Sequence, residues 1–349
     1  MLAPDPDLLA SSYHFELPPE SIAQHPVPRG TSRLRVVGPE LDAHRTVGDL
    51  PQLLDPGDLL VVNDTKVRPA KLTARRPTGG AVHLLLLRPL PDGRWAALVK
   101  PSKKLREGAR VRLQRRGTDE LGPELQIDGV LPGGQRAVAG DDLAAAAEAW
   151  GEMPLPPYIQ RDAPDPADRE RYQTRFARHE GAAAAPTAGL HFSDSLLQEL
   201  DDRGVHRVSV TLHVGLGTFQ PMRSEQLLDH PMHEEVYRVP SETAAAVAAC
   251  EARGGRIVCV GTTSLRALES WHRADRPTDG MTRSTRLFLH PGDGPRLRCA
   301  LMTNFHLPGS TLLVLVASIL GRPATQDLYA AAIADGYRFY SYGDALLLL

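Results

Sequence analysis

Short polar loops follow several apolar, strand-like runs of this 349-residue chain, and their side chains are of types that do chemistry. Histidine suits acid or base catalysis, because its unperturbed pKa lies near neutral pH. Hydroxyl groups and an arginine at the start of a helix suit a bound carboxylate or phosphate. The candidates are Asn63, Asp64 and Lys66; Thr187 and His191; His213, Gly215, Gly217 and Thr218; Thr262, Thr263 and Arg266; and Asn304 and His306.

Each loop also has a structural explanation, and the residues alone leave both interpretations open. Asn63 and Asp64 are common turn residues at a strand end. A lone histidine in a loop is more often structural than catalytic, and threonines that open a helix often only cap it. The glycine loop 215–217 is not a dinucleotide fingerprint, because Gln220 stands where the third glycine is needed and Pro221 precludes the following helix. No Walker loop or GxSxG motif occurs.

The C-terminal segment 337–344 combines aromatic rings with charged side chains. Four aromatic residues lie within its first six positions. Aromatic rings can stack on nucleobases, so that Arg338, Tyr342 and Asp344 become candidate contacts to a nucleotide. A buried C-terminal core strand explains the same pattern.

The formal net charge of −2 conceals an uneven distribution. Residues 66–116 contain 15 Lys and Arg against two acids, a local charge of +13, whereas residues 117–168 contain 11 acids against two Arg, a local charge of −9. The net charge of the whole chain excludes a uniformly basic coat protein, but it does not exclude a local basic surface that binds a polyanion. A solvated sheet face whose arginines bind nothing specific also explains the basic region.

The basic region has the two-residue periodicity of strands, whereas the rest of the chain alternates between helix and strand patterns. Residues 109–114 alternate between apolar and polar types, and apolar runs occur at 82–87 and 95–99. We therefore predict an all-β insert over residues 67–149, basic in its first half. Residues 1–66 and 150–349 predict a discontinuous α/β core, with helices beginning near Ser193, Ser241, Thr262 and Thr311.

Several classes of protein and site are disfavoured by composition and motif. The N-terminal ten residues lack the basic-then-apolar order of a secretion signal. The longest apolar run, 311–320, is about half the roughly 20 residues that a membrane span needs. We therefore expect a cytoplasmic protein. No HExxH motif and no CxxC pair is present, so that no metal site is predicted.

Taken together, these segments resemble the S-adenosylmethionine:tRNA ribosyltransferase-isomerase family of queuosine biosynthesis. The resemblance runs almost end to end, and the joint occurrence of its motifs in family order is very specific. They occupy residues 15–18, 22–24, 32–34, 57–66, 69–70, 154–159, 172–174, 184–192, 211–221, 232–235, 261–269, 303–308, 310–312 and 337–344.

The resemblance implies a mixed α/β core interrupted by an inserted β-barrel domain, and a reaction on tRNA. Members transfer and isomerise the ribosyl part of S-adenosylmethionine onto 7-aminomethyl-7-deazaguanine in the tRNA anticodon. The product is epoxyqueuosine, and adenine and methionine are released. S-adenosylmethionine is then a co-substrate, and no metal or redox cofactor is required. We expect a monomer with tRNA as its partner.

The reaction suggests roles for the candidate residues. A base of pKa near 7 can remove the C5′ proton that the sulfonium acidifies, and we rank His191 first, His213 second and His306 third. A carboxylate such as Asp64 or Asp344 can orient a group or supply a proton. The carboxylate of the donor needs an anion site, for which Thr262, Thr263 and Arg266 are suited. The motifs add Arg33, His233 and Glu235 as substrate contacts, and the insert supplies Arg110, Arg112, Arg115 and Arg116 for the tRNA backbone.

Three positions depart from the family pattern. His83 and Cys299 stand where acids are usual, and Glu234 stands where serine is common. These departures leave open a related transferase that acts on a free deazaguanine or another amine. A non-catalytic RNA-binding module is the second alternative, although such a module has no need of several polar loops at strand ends.

Overall fold

A computed structural model describes residues 5–215, 222 and 224–349. The strands are β1 Arg33–Gly38, β2 Leu41–Thr46, β3 Leu59–Asn63, β4 Thr65–Val67, β5 Lys71–Arg75, β6 Ala81–Pro89, β7 Trp95–Lys100, β8 Arg110–Gln114, β9 Leu121–Val130, β10 Arg136–Ala139, β11 His179–Ala182, β12 His206–Leu212, β13 Glu235–Arg238, β14 Ile257–Val260, β15 Thr282–Thr285, β16 Ala300–Asn304 and β17 Ala345–Leu348. The α-helices are α1 Leu50–Leu53, α2 Leu143–Trp150, α3 Ala167–Arg171, α4 Asp194–Asp202, α5 Ser241–Ala252, α6 Thr262–Arg273, α7 Thr311–Leu320 and α8 Arg322–Ala334.

The chain divides into two compact units. The core unit comprises the residues up to Thr65 together with Thr174–His179 and Pro186–Leu349, and the barrel unit comprises Lys66–Gln173 and Glu180–Ala185. The core unit contains a mixed sheet with helices, and the barrel unit contains a closed barrel of six strands. The predicted fold class, an α/β protein with an inserted all-β barrel, is therefore confirmed.

The core unit is built on a nine-stranded sheet of order β15-β13-β12-β3-β14-β16-β17-β1-β2. The strands β12, β3, β14 and β16 are mutually parallel, and β17 is antiparallel to β16. Strand β3 is buried along its whole length. A parallel strand that is covered on both faces has no polar side, which explains its run of two leucines and two valines.

Helices cover both faces of this sheet. On one face, alternate residues such as Leu60, Val62, Val258 and Met302 form a buried cluster with three leucines of α4. Helices α5 and α6 contribute nothing to that cluster and pack against β3, β12 and β14 from the other side. This double layer fixes the strand ends relative to one another, because the interior is close-packed.

The ends of seven strands meet at one edge of the sheet. The carboxyl ends of the four parallel strands lie side by side at this edge. Strands β17 and β1 run the opposite way, so that their first residues reach the same edge: Asn304 pairs with Ala345, and Ala345 pairs with Leu34. Strand β13 also begins here, because it is antiparallel to β12. Polar loops that are far apart in sequence therefore converge.

The barrel unit closes six antiparallel strands in the order β10-β7-β6-β5-β8-β9. In β8, Val111 and Leu113 are buried in the barrel core, while Arg110 and Arg112 are exposed. The alternation in the sequence follows from this arrangement, since successive side chains of a strand point to opposite faces.

The barrel unit extends beyond the predicted insert limits of 67–149. Lys71 and Glu152 exchange backbone hydrogen bonds of 3.2 and 2.9 Å. The amide of Gln173 bonds both backbone groups of Val67, at 3.1 and 2.9 Å. The segment after α2 therefore stays bonded to the start of the barrel, a pairing that composition does not reveal.

Helix α7 corresponds to the longest apolar run. It begins at Thr311, where the sequence predicts a helix start, and the Ser310 hydroxyl accepts from the Leu313 N–H and caps its first turn. Within residues 5–215, 222 and 224–349, no helix has both the length and the hydropathy that a membrane crossing requires.

Candidate active site at the sheet edge

Asn63, the last residue of β3, clamps three segments of the edge together. Its amide nitrogen donates to the Leu212 carbonyl at 2.9 Å and to the Thr263 hydroxyl at 3.1 Å. Its amide oxygen accepts from the N–H groups of Thr65 and Leu212, both at 3.1 Å. Asn63 is buried, and its polar atoms are satisfied by the protein. It therefore holds β3, β12 and the start of α6 in register.

Asp64 and Thr65 face hydroxyl and imidazole side chains. The buried Asp64 carboxylate accepts the Thr211 hydroxyl at 2.7 Å, and its other oxygen lies 3.6 Å from Nε2 of His179. The Thr65 hydroxyl lies 2.8 Å from Nδ1 of His213. His213 is half-buried, and 53% of the His179 side chain is exposed. Solvent can therefore reach this part of the edge.

His191 lies at the end of a 3-10 helix and is buried. Its Nδ1 lies 2.9 Å from the Ser32 hydroxyl, and its Nε2 lies 3.1 Å from Nδ2 of Asn304. The same Asn304 nitrogen donates to the Tyr340 carbonyl at 3.1 Å, and the Asn304 oxygen accepts the Thr187 hydroxyl at 2.9 Å. This cluster ties the loop before α4 to β1, β16 and the C-terminal segment.

These contacts fix the tautomer of His191. A carbonyl can only accept, so the Tyr340 oxygen identifies the nitrogen of Asn304 as the donor to Nε2. Nδ1 then carries the proton and donates to Ser32. Burial lowers the pKa of His191 to about 4, and two nearby arginines act in the same direction. His191 is therefore neutral at pH 7, and its lone pair is already engaged.

His306 is held by a different set of partners. Its Nε2 lies 2.8 Å from the Thr303 hydroxyl, and its backbone N–H donates to the Tyr329 hydroxyl at 3.1 Å. Burial lowers its pKa to about 3. The three candidate histidines thus occupy separate hydrogen-bond clusters. His213 is the one among them that is not buried.

Arg266 of α6 and Glu235 of β13 form a buried ion pair beside a small cavity. The Glu235 carboxylate also accepts the Gly215 N–H at 3.3 Å, and Nε of Arg266 donates to the Leu287 carbonyl at 3.1 Å. Nη2 of Arg266 is buried and has no hydrogen-bond partner among the residues that the structure describes. An unpaired buried guanidinium nitrogen favours a bound anion.

The cavity beside this ion pair has largely apolar walls. Its remaining lining includes Met232, His233, Phe288, Leu312 and Leu315. His233 thus lines the same cavity as Glu235 and Arg266.

Helix α6 begins at the edge with Thr262 and Thr263, both buried. Gly261 precedes it with φ of 92°, a conformation that side chains other than glycine rarely adopt. The Thr263 hydroxyl accepts from Asn63, and the Ser264 hydroxyl donates to the Val260 carbonyl at 2.7 Å. The Thr262 hydroxyl makes no hydrogen bond within the described chain.

Asp344 holds the turn that precedes β17. Its carboxylate accepts the backbone N–H of Arg33 at 3.0 Å and that of Arg338 at 2.9 Å, and the Arg338 guanidinium lies 3.4 Å away. A side chain at Gly343 would place Cβ 2.4 Å from the Arg338 carbonyl oxygen, so that the close turn requires glycine. The Asp344 carboxylate therefore organises the backbone at the start of β1 and β17.

The aromatic residues of the same segment face the protein interior. Tyr337 and Phe339 pack against Phe305, with ring centroids 5.2 Å apart in each case. The Arg33 guanidinium lies 3.8 Å from the centroid of the Tyr337 ring. Tyr342 is also buried. The core explanation of this segment therefore applies to Tyr337 and Phe339, which have no exposed face for a base.

Two of the barrel arginines selected from the sequence are paired with acids across or near their own strand. Arg110 lies 3.2 Å from Glu124, and Arg115 lies 2.8 Å from Glu120. Arg112 has no ion pair within the described chain, although it lies directly opposite Glu124 in the β8–β9 register. The local charge of this strand is therefore much lower than its composition indicates.

Arg116 and Lys66 are also engaged within the barrel unit. Arg116 pairs with Glu152 at 3.2 Å and donates to the carbonyls of residues 161 and 162. Lys66 pairs with Glu180 at 3.0 Å, and this contact helps to lower the pKa of Glu180. Arg116 thus acts as a strap between β8 and the segment that follows α2.

Some residues of the edge were not selected from the sequence, and others lie outside the described residues. Ser32, Thr65 and Thr211 bond directly to selected side chains but were not selected themselves. Their positions beside strand ends, next to residues that were selected, are the signal that could have found them. Gly217 and Thr218 lie outside the described residues. Within the described part, no group of three or more His, Cys, Asp or Glu is arranged to hold a metal.

Comparison with known proteins identifies the family to which this chain belongs. The family model described as "Queuosine biosynthesis protein" matches residues 10–348. The chain belongs to this family. The resemblance inferred from the motifs is therefore confirmed over nearly the whole chain.

Named relatives match both units. An S-adenosylmethionine:tRNA ribosyltransferase-isomerase of Anaeromyxobacter sp. (strain Fw109-5) is 51% identical over 347 residues, which are 97% of this chain and 98% of the relative. The protein of that name from Thermus thermophilus is 48% identical and covers 97% of this chain and 99% of the relative. The crystal structure of S-adenosylmethionine tRNA ribosyltransferase from Thermotoga maritima is 33% identical, with a TM-score of 0.54, and the match covers 97% of this chain and 100% of that chain.

Proposed function

We propose that this protein is an S-adenosylmethionine:tRNA ribosyltransferase-isomerase. It transfers and isomerises the ribosyl part of S-adenosylmethionine onto 7-aminomethyl-7-deazaguanine in the tRNA anticodon, forms epoxyqueuosine and releases adenine and methionine. The family match over residues 10–348 carries this proposal. The convergence of histidine, carboxylate and arginine side chains on one sheet edge supports it. S-adenosylmethionine is the co-substrate, and the reaction requires no metal or redox cofactor.

His213 is the proposed base that removes the C5′ proton of the donor. A general base must be reachable by the substrate and must have a pKa near the working pH. His191 and His306 are buried, and their pKa values of about 4 and 3 weaken them as bases. On sequence alone, His191 ranks first among the candidate bases. This proposal places His213 first instead, because His191 and His306 are buried and His213 is not.

Thr65 is the proposed orienting partner of His213. Its hydroxyl lies 2.8 Å from Nδ1 of His213 and 3.5 Å from the His179 carbonyl. The hydroxyl has one proton; when it donates to the carbonyl, it accepts from Nδ1–H, and Nε2 becomes the basic nitrogen. Asp64 follows Asn63 at the same strand end. We propose that its carboxylate orients a reacting group or supplies a proton.

Arg266 is the proposed site for the carboxylate of the donor. Its buried Nη2 lacks a partner within the described chain, and Arg266 lines the small cavity. A carboxylate bound there would complete its hydrogen bonds, and the Thr262 hydroxyl is a second candidate donor from the same helix. Apolar cavity walls at Met232 and Phe288 suit the methylene chain of a methionine moiety.

His191 and Asn304 are proposed positioning residues. Their hydrogen bonds join Ser32, Thr187 and the Tyr340 carbonyl, which belong to three different segments of the edge. Asp344 has a similar role for Arg338. Rigid support of this kind keeps reacting groups in place, and it affects rate without any contact to the transferred proton.

One incubation tests the proposal. S-adenosylmethionine labelled in the ribose is incubated with tRNA that carries the aminomethyl base, and both free adenine and label on tRNA are measured. Label on tRNA together with adenine release supports the proposal. Adenine release without labelled tRNA, but with label on a free amine, favours the related transferase. Binding of tRNA without adenine release favours the RNA-binding module. Unmodified tRNA is the matched control and should remain unlabelled.

The cellular location and the oligomeric state are further predictions. We propose that the protein acts in the cytoplasm, where tRNA is modified, and that it is a monomer. Light scattering on the protein with and without tRNA measures the second point directly, and a dimer in both samples would overturn it.

A further inference from the structure

The barrel unit carries a group of cations that its acids leave unpaired. Lys100 ends β7, Lys103 and Lys104 lie in a 3-10 helix, and Arg106 follows. We call residues 100–106 the basic turn. These four side chains are exposed, and none has an ion pair or side-chain hydrogen bond with any residue that the structure describes. The nearest acid in sequence, Glu107, directly follows the turn.

Arg136 of β10 fastens the basic turn to the barrel. Its guanidinium donates to the carbonyls of Leu105 at 3.2 Å and Ser102 at 3.3 Å. It also donates to the carbonyls of Gly134 at 3.0 Å and Gln135 at 3.1 Å. All four partners are neutral, so the charge of Arg136 adds to the positive potential of the turn. Leu105 is fully buried in the barrel core and anchors the turn from within.

Three arginines in and just after β8 offer much less free charge. Arg110, Arg115 and Arg116 each have a carboxylate within 3.2 Å, and Arg116 has two backbone acceptors as well. A cation that binds a phosphate must first give up such a partner. The basic turn has no such cost, and a turn that is already fastened loses little conformational freedom on binding.

We propose that the basic turn is the surface of the barrel unit that binds the phosphate backbone of tRNA. The identity of the polyanion rests on the proposed function. From Lys100 to Arg106 the chain spans at most about 20 Å, so its four cations can meet several phosphates of one backbone stretch. Such contacts are independent of base sequence and place the RNA rather than read it.

Two triple variants of equal charge change test this inference. The first is K103Q/K104Q/R106Q in the basic turn. The matched control is R110Q/R112Q/R115Q in and just after β8, where Arg110 and Arg115 are paired with acids. Binding of fluorescent tRNA is measured by anisotropy between about 50 and 200 mM salt. The slope of log affinity against log salt should fall by about 2 in the first variant and by less than about 1 in the control. The KM for tRNA should rise in the first variant while kcat at saturating tRNA stays unchanged.

The variant R136K tests whether Arg136 positions the turn. It keeps the charge but cannot span the four carbonyls that the guanidinium joins. If Arg136 positions the cations, the salt slope falls although the net charge is unchanged. An unchanged slope would show that Arg136 contributes charge alone. Thermal unfolding of R136K is recorded in parallel, so that a loss of the barrel fold is not mistaken for a loss of positioning.

The outcomes separate this inference from the proposed function. Equal losses in the two triple variants, or wild-type affinity in the basic-turn variant of an active enzyme, overturn the basic turn alone. Turn-dependent tRNA binding by a wild-type protein that releases no adenine overturns the proposed function and supports the turn. A wild-type protein that does not bind tRNA overturns both.

Discussion

His191 and His213 lie at the same sheet edge, yet the protein holds them in opposite ways. His191 is buried, and Ser32 and Asn304 engage both of its ring nitrogens. His213 is half-buried beside the Thr65 hydroxyl. The comparison shows that two histidines at one sheet edge can differ sharply in burial, and we propose that this difference makes His191 a supporting group and His213 the base.

The largest effect should come from removing the proposed base. In His213→Ala, no imidazole remains to accept the C5′ proton, and kcat for adenine release should fall by about 10³-fold. Single-turnover measurement with saturating tRNA isolates the chemical step. The affinity for tRNA should be unchanged. Activity within tenfold of wild type would break the comparison, because both histidines would then be supporting groups.

Acid should destabilise the folded protein through the buried histidines. The pKa values of His191 and His306, about 4 and 3, lie below the usual 6.5, so the unfolded chain binds protons that the folded chain does not. Their contribution is complete above pH 6.5 and is lost as the pH falls toward 4. For His191 alone this corresponds to about 3 kcal/mol.

Urea unfolding between pH 7 and pH 4 measures this dependence. The variant His191→Gln should show a shallower loss of unfolding free energy than wild type. The variant His83→Gln, in which an exposed histidine of the barrel unit is replaced, is the matched control and should follow wild type. Identical curves for all three proteins would show that burial of His191 does not control its protonation.

The anion site should affect substrate binding more than turnover. In Arg266→Met the unpartnered nitrogen is lost, and the KM for S-adenosylmethionine should rise by about 100-fold, as expected for a charge-assisted hydrogen bond. This variant also leaves Glu235 buried without its partner, which destabilises the protein. The double variant R266M/E235M removes both charges and should recover stability but not donor binding. Recovery of donor binding as well would exclude the anion site.

The smallest effect on activity should come from His191. In His191→Gln, an amide can replace part of the hydrogen bonding to Ser32 and Asn304, so kcat should fall by about tenfold, the value of a misplaced supporting group. The pH profile of kcat should keep its wild-type shape, because the base is unchanged. A loss as large as that of His213→Ala would restore His191 as the base.

Several features of the fold followed from local patterns. The alternation around Val111 and Leu113 identified a strand of the barrel, and Ser310 marked the start of α7. The buried run of β3 and the polar side chains after it placed Asn63 and Asp64 at the edge. These features are visible in sequence because strand periodicity, helix capping and turn chemistry act over a few residues.

Other features depend on contacts between distant segments. The pairing of Arg110 with Glu124 and of Arg115 with Glu120 cancels charge that composition counted as available. Tyr337 and Phe339 turned inward because Phe305 provides a packing surface for them. The extension of the barrel unit to Gln173 rests on hydrogen bonds to Val67. A window of sequence contains no information on such partners.

The sequence by itself determined the family, the strand-end positions of the reactive side chains and the presence of a basic insert, because these are properties of residue types in order along the chain. Only the tertiary structure decided which histidine is buried, which arginines are neutralised and which cations remain free. Protonation and charge pairing depend on burial and on distances of a few ångströms, and the packing of segments far apart in sequence sets both.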